Sequence, residues 1–480
     1  MKIIIRFALL FFLKILSYEG TCQNSRKPNV VLLFSDDQRL QGTIHALGEN
    51  EVITPNLDAL VKSGTAFTKT YIMGGSQGAV CVPSRNMLMT GRNLFSLVSV
   101  GADVIFPENT TLGEALGNNG YSTYGIGKWH NDKASFNRIF QNGDEIFFGG
   151  MSNNPYNVGL FHYDNEGKYS SKGSPEKGEL ISKGLHSYPK HHTEVFGEAA
   201  VKFIENYQKK EPFFLYVAFK SPHDPRVMPE KYKEMYDTSK INLPLNFMRE
   251  HPFDNGELKV RDEMLATFPR TPSEVKGHIR DYYAMMTHLD EQIGKIVEAL
   301  KAKGEYENTI IVFAGDNGLA LGQHGLMGKQ NVYEHSLNVP LIIAGKGIPK
   351  GKLNNNFAYS FDIFPTICQL TGTAIPPSVQ GQVLFGNNKN TRETMFHAYR
   401  NFQRALRKGD WKLIEYNVNE KKMSQLFNLK KDPLELNNLA NDPQFHIKLT
   451  EMKTALKDQK RIYNCQVSQG CCQNLFILYL

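Results

Sequence analysis

Asn29-Val30-Val31-Leu32-Leu33-Phe34-Ser35-Asp36-Asp37 is an apolar run of strand length that ends abruptly in two acids. A run without polar alternation suits a strand buried on both faces of a parallel sheet. The pattern recurs at Thr309-Ile310-Ile311-Val312-Phe313-Ala314, which leads into Gly315-Asp316-Asn317-Gly318, and at Phe213 to Phe219, which leads into Ser221-Pro222-His223-Asp224. Val339 to Ala344 reads as a further strand. Between the runs, Met286, Leu289, Ile293, Ile296, Val297 and Leu300 keep helical spacing up to Lys303-Gly304, and Thr54-Pro55 marks another helix start. Strands alternating with helices predict an α/β fold with a doubly wound, mainly parallel sheet. Ligands of such sheets sit beyond the carboxyl ends of the strands, where three of these strands deliver polar side chains.

The remaining sequence sets the frame. The chain has 480 residues, 41% hydrophobic and 21% charged, which is a globular composition with room for one large unit and a smaller one. The net charge of +7 is mild, and no block of Lys and Arg interleaved with aromatics suggests nucleic-acid binding. Lys2 and Arg6 flank the apolar stretch Phe7 to Leu16, which reads as an export signal over residues 1–21 and is too short for a stable membrane span. A secreted or periplasmic protein is expected. Cys22 would be the anchor site if the chain were lipidated, although Glu19-Gly20-Thr21 is a poor approach to one. Cys465 has Cys471 and Cys472 nearby as partners in an oxidising compartment. The stretch from Asn153 to Thr193 reads as surface loop. From about Asn387, short turn-bounded segments such as Thr394 to Ala398, Trp411 to Tyr416 and Gln425 to Leu429 predict an antiparallel sheet, followed by a helix from about Pro443 to Lys457.

Several residues at the strand ends carry chemistry. Asp36, Asp37, Asp316 and Asn317 are hard oxygen ligands, suited to Ca²⁺ or Mg²⁺ rather than zinc. Cys81-Val82-Pro83-Ser84-Arg85 follows the small-residue loop Gly74 to Gly78. On its own it reads either as an inert buried cysteine or as a thiolate nucleophile beside an Arg-built anion site. Lys128 and His130, two apart in a short loop or extended segment, can face one ligand. His223 and Lys329 join the list by position. A metal cage of acids, a distinctive cysteine and five cationic or imidazole groups fit transfer of a sulfuryl or phosphoryl group, which needs neutralised oxyanions and a protonated leaving group.

Cys81-Val82-Pro83-Ser84-Arg85 matches the Cys-x-Pro-Ser-Arg signature of the type I sulfatases, and Gly120 to His130 resembles their second signature. The order of Asp36-Asp37, His223, Asp316-Asn317, Lys329, Asp362-Ile363-Phe364-Pro365-Thr366 and Leu426 through Pro433 is similar to that family from about Lys27 to Asp442. The resemblance implies an alkaline-phosphatase-like fold, with a catalytic domain at 25–386, a smaller C-terminal antiparallel-sheet subdomain at 387–465 and a tail at 466–480. It implies that a maturation enzyme oxidises Cys81 to formylglycine, and that Asp36, Asp37, Asp316 and Asn317 hold Ca²⁺, with Mg²⁺ the lesser fit, together with residue 81. Arg85 and Lys128 would hold residue 81, His130 would act as base, and His223 and Lys329 would bind sulfate and assist the leaving oxygen. One hydroxyl of the hydrated aldehyde would attack sulfur, and the second would then expel sulfate, a route closed to a plain serine or thiol. The expected substrate is a sulfated sugar or polysaccharide, with Asp224, Arg226, His324 and His335 as candidate sugar contacts. The competing readings are a phosphoester or phosphonate monoester hydrolase on the same fold, which the Cys-x-Pro-Ser-Arg run and Asn317 disfavour, and a catalytically silent binder of sulfated glycans.

Overall fold

The computed structural model describes residues 26–465 apart from 49, 99–102, 165, 172–178, 183–184, 188 and 387–391. The expected export signal, Cys22, Cys471, Cys472 and the C-terminal tail lie outside the described residues. In chain order the main strands of the large sheet are β1 (Asn29–Ser35), β2 (Gly64–Phe67), β3 (Ser122–Lys128), β4 (Asn142–Phe147), β5 (Phe213–Ala218), β6 (Thr309–Gly315) and β7 (Leu341–Gly345). The sheet has ten strands in the order Lys352–Asn354, β2, β7, β6, β1, β5, β3, β4, Phe161–Tyr163, Tyr169–Ser171. Its centre, β6-β1-β5-β3-β4, is parallel throughout, and antiparallel pairs flank it at β7 and at Phe161–Tyr163.

The apolar run of β1 is buried at every position, as a strand covered on both faces requires. Val31 and Leu33 face one layer, where α1 (Pro55–Ser63), α3 (His192–Asn206) and α4 (Pro272–Ala302) supply Leu57, Phe196, Ala200, Leu289 and Ile293. Val30, Leu32 and Phe34 face the other, with Phe136, Phe140 and the Ile363, Phe364 and Ile367 face of α5 (Ile363–Thr371). The helix between these in sequence, α2 (Cys81–Thr90), is buried along its whole length.

Register decides where the chemistry falls. Phe34 lies beside both Ala218 and Ala314, Ser35 beside Gly315, and Ala218 beside Gly127. Four adjacent parallel strands therefore end level, and Asp36, Asp316 and Lys128 leave the sheet along one edge. β3 is the strand that the sequence reading does not single out, leaving Lys128 in a short loop or extended segment. Ser122-Thr123-Tyr124-Gly125-Ile126-Gly127 has no apolar run because its glycines are set by close approach: a β-carbon on Gly127 (φ 86°) would sit 2.0 Å from the Ala218 carbonyl oxygen. β7 starts after Pro340, later than expected, since proline donates nothing to a ladder. Residues 153–193 are not all loop: Phe161–Tyr163 and Tyr169–Ser171 extend the sheet, and Asn157–Val158, Glu179–Ser182 and Leu185–Ser187 form a small sheet of their own.

The second sheet holds β8 (Thr394–Tyr399), β9 (Gln403–Lys408), β10 (Trp411–Val418) and β11 (Lys421–Asn428), antiparallel in sequence order. Gly74–Gly75, just ahead of Cys81, adds a fifth strand parallel to β8. A 3-10 turn at Pro443–Phe445 leads into α6 (His446–Ile462), which covers this sheet through Met452 and Leu456. Among the described residues no helix is long and apolar enough to cross a membrane.

Thr54 precedes α1 with Pro55 at its first position, but its hydroxyl accepts from the His45 N–H instead of capping the helix. The buried carboxylate of Asp290 on α4 takes that role, accepting the N–H groups of Asn56 and Leu57 at 3.0 and 2.7 Å. Asp290→Ala would leave both donors unpaired, and a loss of about 2 kcal/mol is expected. A urea titration checks this, and an unchanged midpoint would show that water replaces the carboxylate at no cost.

Candidate active site

The acids of the sheet edge are held by buried cations. Lys128 Nζ donates to Asp36 Oδ2 at 2.5 Å, and Arg85 Nη2 donates to Asp316 Oδ2 at 2.9 Å while lying 3.7 Å from Asp36 Oδ2. Lys329 Nζ donates to Asp37 Oδ1 at 2.6 Å, and the Asp37 N–H reaches Asp316 Oδ1 at 2.9 Å. Asp37 has φ 64°, a left-handed backbone that aspartate tolerates better than most residues. That turn brings its N–H and carboxylate to the same cluster.

Two oxygens are left over. Asn317 Nδ2 donates to Asp37 Oδ1 at 2.7 Å and to the Gly318 carbonyl at 3.1 Å, which orients the amide and leaves Asn317 Oδ1 buried with no hydrogen-bond partner. Asp36 Oδ1 is likewise buried and unpartnered. Unpaired buried acceptors are costly and need a reason. Carboxylate oxygens of Asp36 and Asp316 and the sulfur of Cys81 lie within 4.8 Å of one another, as do ligand atoms of Asp36, Asp37 and His223. The residues present therefore fit a hard cation, with Asp36 Oδ1 and Asn317 Oδ1 as waiting ligands.

Cys81 opens α2, buried, with Sγ 3.2 Å from His130 Nδ1 and 3.8 Å from Lys128 Nζ. Arg85 lies one helical turn further on, on the same face. Its Nη1 donates to the Lys128 carbonyl at 2.8 Å, so Arg85 ties α2 to both β3 and the acids. Ser84 adds a 2.5 Å bond to the Asp316 carbonyl. His223 donates from Nδ1 to the Asp224 carbonyl at 2.7 Å, which leaves Nε2 facing Asp37 Oδ2 at 3.6 Å.

Burial and charge act in opposite directions here. Burial works against charge on Asp36, but Lys128, His223 and Arg85 outweigh it and hold the carboxyl well below the usual range. Burial, with Asp36 close by, pushes Asp316 up to about 7. Burial, then Lys128 and Arg85, lowers His130 to about 2, so this imidazole is neutral and, in this setting, a weak base. Burial raises the Cys81 thiol despite Lys128 and Lys329. A free thiolate nucleophile is thus disfavoured.

The candidate sugar contacts divide. Asp224 is buried in the fork of Arg261, with Nη2 3.0 Å from Oδ1 and Nη1 close to Oδ2. Arg226 donates from Nη1 to His278 Nδ1 at 2.9 Å and keeps Nε and Nη2 unpartnered. Both adjoin His223. His324 and His335 instead pack with Tyr333, His324 stacking on it at 4.1 Å between ring centroids and its Nε2 lying 3.1 Å from the Glu435 carbonyl. No hydrogen bond ties them to the acids. Arg261, thirty-seven residues from Asp224, carries no local sequence signal that could have marked it.

A buried acid cluster with room for a cation, at the carboxyl edge of a doubly wound parallel sheet and lined by Arg, Lys and His, defines a hydrolase acting on anionic esters. The comparisons narrow the class: residues 28–373 match the Sulfatase family and residues 322–462 the C-terminal region of N-sulphoglucosamine sulphohydrolase. The chain belongs to the sulfatase family, whose members hydrolyse sulfate esters. It is 25% identical to an N-acetylglucosamine-6-O-sulfatase of Bacteroides thetaiotaomicron, over 92% of this chain and 88% of that one. Its fold is similar to that of a protein solved with its substrate D-glucosamine-2-N,6-O-disulfate (TM-score 0.74, 22% identity, covering 92% and 99% of the two chains). It is also similar to the phosphonate monoester hydrolase of Agrobacterium radiobacter (TM-score 0.73, 20% identity, covering 91% and 96%).

Arg85→Met would leave Asp36 and Asp316 with a partner removed. Breaking such a buried pair costs about 3–5 kcal/mol, so a markedly lower thermal midpoint is expected even without any catalytic assay. A midpoint equal to that of the unaltered chain would show that Lys128 alone neutralises the acids.

Proposed function

We propose that this sulfatase cleaves sulfate monoesters of sulfated sugars, that residue 81 works as formylglycine made from Cys81 by a maturation enzyme, and that the bound cation is Ca²⁺. The observation that carries the reading is the setting of Cys81: a buried first residue of a helix, between Lys128 and His130, whose own thiol is held protonated. A site so built makes poor use of sulfur and good use of an oxygen nucleophile at the same place, for which Cys81 Sγ stands in. The hydrated aldehyde supplies a nucleophile together with an internal route for releasing sulfate.

The roles follow from position. Lys128 and Arg85 fix the surroundings of residue 81. His130, with Nδ1 3.2 Å from the Sγ of residue 81, is placed to take its proton, provided the charge that develops there offsets the burial and the cations that lower its pKa. His223 and Lys329, across the cluster on Asp37, would bind the sulfuryl oxygens and protonate the leaving alcohol. Calcium suits the donor set because Asp36, Asp37, Asp316 and Asn317 offer oxygens, as residue 81 would once it is formylglycine, and the ion would supply Lewis-acid stabilisation of the developing charge. The three carboxylates are already matched by Arg85, Lys128 and Lys329, so a divalent ion leaves positive charge for an anionic ester to meet. Of the sugar-contact candidates, Arg226 has donors to spare, and we assign it the first contact with the sugar. The named activity of the Bacteroides relative supports a hexosamine sulfate as the first substrate to try. Export from the cell and division into a catalytic domain at 25–386 and a C-terminal subdomain at 387–465 complete the reading.

The mass of the peptide containing residue 81, from protein made alongside a formylglycine-generating system, should be that of the aldehyde. Cys81→Ala should then lower turnover of a 6-O-sulfated hexosamine by at least about 10³-fold. An unmodified thiol in active protein, or unchanged turnover in Cys81→Ala, would overturn the assignment. Calcium at about a hundred times its dissociation constant should stabilise the chain by about 2.7 kcal/mol, and Asn317→Ala should remove most of that gain. Calorimetric titration with Ca²⁺ and Mg²⁺ reads this directly, and stronger binding of Mg²⁺ would reverse the choice of ion.

A further inference from the structure

We infer that residues 149–152, the strap that follows β4, are the steric stop that sets the ring of His130, and that Lys220 is the positioning residue that pins the strap. The inference rests on the reading of His130 as the base at residue 81. The ring itself is thinly held: among the described residues its one hydrogen-bonding contact is the 3.2 Å approach of Nδ1 to Cys81 Sγ, and its backbone has φ 62°. What closes its other side is backbone. A β-carbon on Gly150 would lie 2.4 Å from His130 Nε2 and 2.7 Å from Cε1, so the strap meets the ring edge with space for hydrogen only. Gly149 folds as tightly onto Phe147, where a β-carbon would meet the ring at 2.7 Å. Neither glycine has a left-handed φ, so both are set by contact and not by conformation.

The strap is anchored at its far end. Lys220 is 2% exposed, directly follows the β5 edge and donates from Nζ to Ser152 Oγ at 2.5 Å. Its Nζ lies 4.1 Å from the centroid of the Phe147 ring. No carboxylate among the described residues lies within 4 Å of it, so the amine group's contacts are a hydroxyl and an aromatic face, both belonging to the strap and its root. The Lys220 backbone is fixed in turn: its carbonyl accepts the His223 N–H at 2.9 Å, and the next carbonyl, of Ser221, accepts the Asp36 N–H at 3.2 Å. The anchor thus belongs to the same rigid edge as the acids. Loosening it frees the strap, and the ring of His130 gains room to turn away from residue 81.

The test compares Ser152→Ala, Ser152→Thr and Lys220→Met with the unaltered chain, reading carbethoxylation of His130 by diethyl pyrocarbonate through peptide mass mapping. Ser152→Ala and Lys220→Met should react about fivefold faster, the factor that one ordinary side-chain hydrogen bond exerts on an open–closed equilibrium. Ser152→Thr, which keeps the hydroxyl, should react as the unaltered chain does. On a sulfated hexosamine the first two should lose on the order of tenfold in kcat at unchanged KM, since a slightly misplaced group costs up to about 10²-fold. Equal labelling of Ser152→Ala and the unaltered chain at equal thermal midpoints would overturn the proposal, as would a fall in kcat without faster labelling. If Lys220→Met does not fold, Ser152→Ala alone decides. Labelling needs no turnover, so an inactive unaltered chain would count against the proposed function while the strap is still judged.

Discussion

Three carboxylates at the end of a buried sheet would unfold the edge that carries them unless their charge were cancelled on the spot. Asp36, Asp37 and Asp316 persist because Lys128, Lys329 and Arg85 touch them directly, each from a different part of the chain. Such contacts repay their desolvation only when geometry is good and the remaining lone pairs are used. Here most are used, and Asp36 Oδ1, Asn317 Oδ1 and the Arg85 Nε–H are left without a partner. The two unpaired oxygens lie among acids matched by Lys128, Lys329 and Arg85, and a hard cation there would satisfy both.

That network also explains why the scaffold is so rigid. The level ends of β3, β5, β1 and β6 bring the charges to one edge, and a shift of one residue in any strand pair would turn an acid or its cation to the opposite face. The helix carrying residue 81 is locked to the same edge by Arg85 and Ser84. Preorganised charge of this kind is what stabilises an oxyanion without reorganisation during the reaction. The left-handed backbones of Asp37 and His130 are local strain that the surrounding packing maintains.

How much of this the sequence discloses depends on how local the signal is. β1, β5 and β6 are legible because strands buried on both faces must be apolar throughout, and their acids stand directly at the ends. α4 is legible from its apolar spacing. β3 is not, because Gly125 and Gly127 answer to neighbouring rings and a facing carbonyl rather than to strand propensity. The site residues carrying a motif, Cys81 with Arg85 and Lys128 with His130, are named by their spacing, and the structure brings them together. His324 and His335 read only as candidate sugar contacts, because nothing in a sequence distinguishes a histidine stacked on Tyr333 from one facing a ligand. Lys220 and Arg261 escaped notice for the converse reason: their partners, Ser152 and Asp224, are distant in sequence and ordinary in type.

The second sheet is part of the same frame. Gly74–Gly75 joins its edge a few residues before Cys81, so the approach to residue 81 is hydrogen-bonded to β8. On the other side, the segment just after Lys329 is held by the sheet's interior: Gln403 bonds the Val332 N–H at 3.1 Å and the Gln330 carbonyl at 3.3 Å, and Lys412 reaches Glu334 at 3.0 Å and Glu435 at 2.7 Å. Arg407 joins Glu334 at 2.9 Å. Two segments that flank the acids, one bearing residue 81 and one bearing Lys329, are therefore spaced by a sheet that contributes no side chain to the cluster. A buried polar network of this kind is stable only when complete, because a missing partner leaves a charge in the interior. The C-terminal strands thus act on the site through spacing, and the distance between Cys81 and Lys329 is a property of both sheets together.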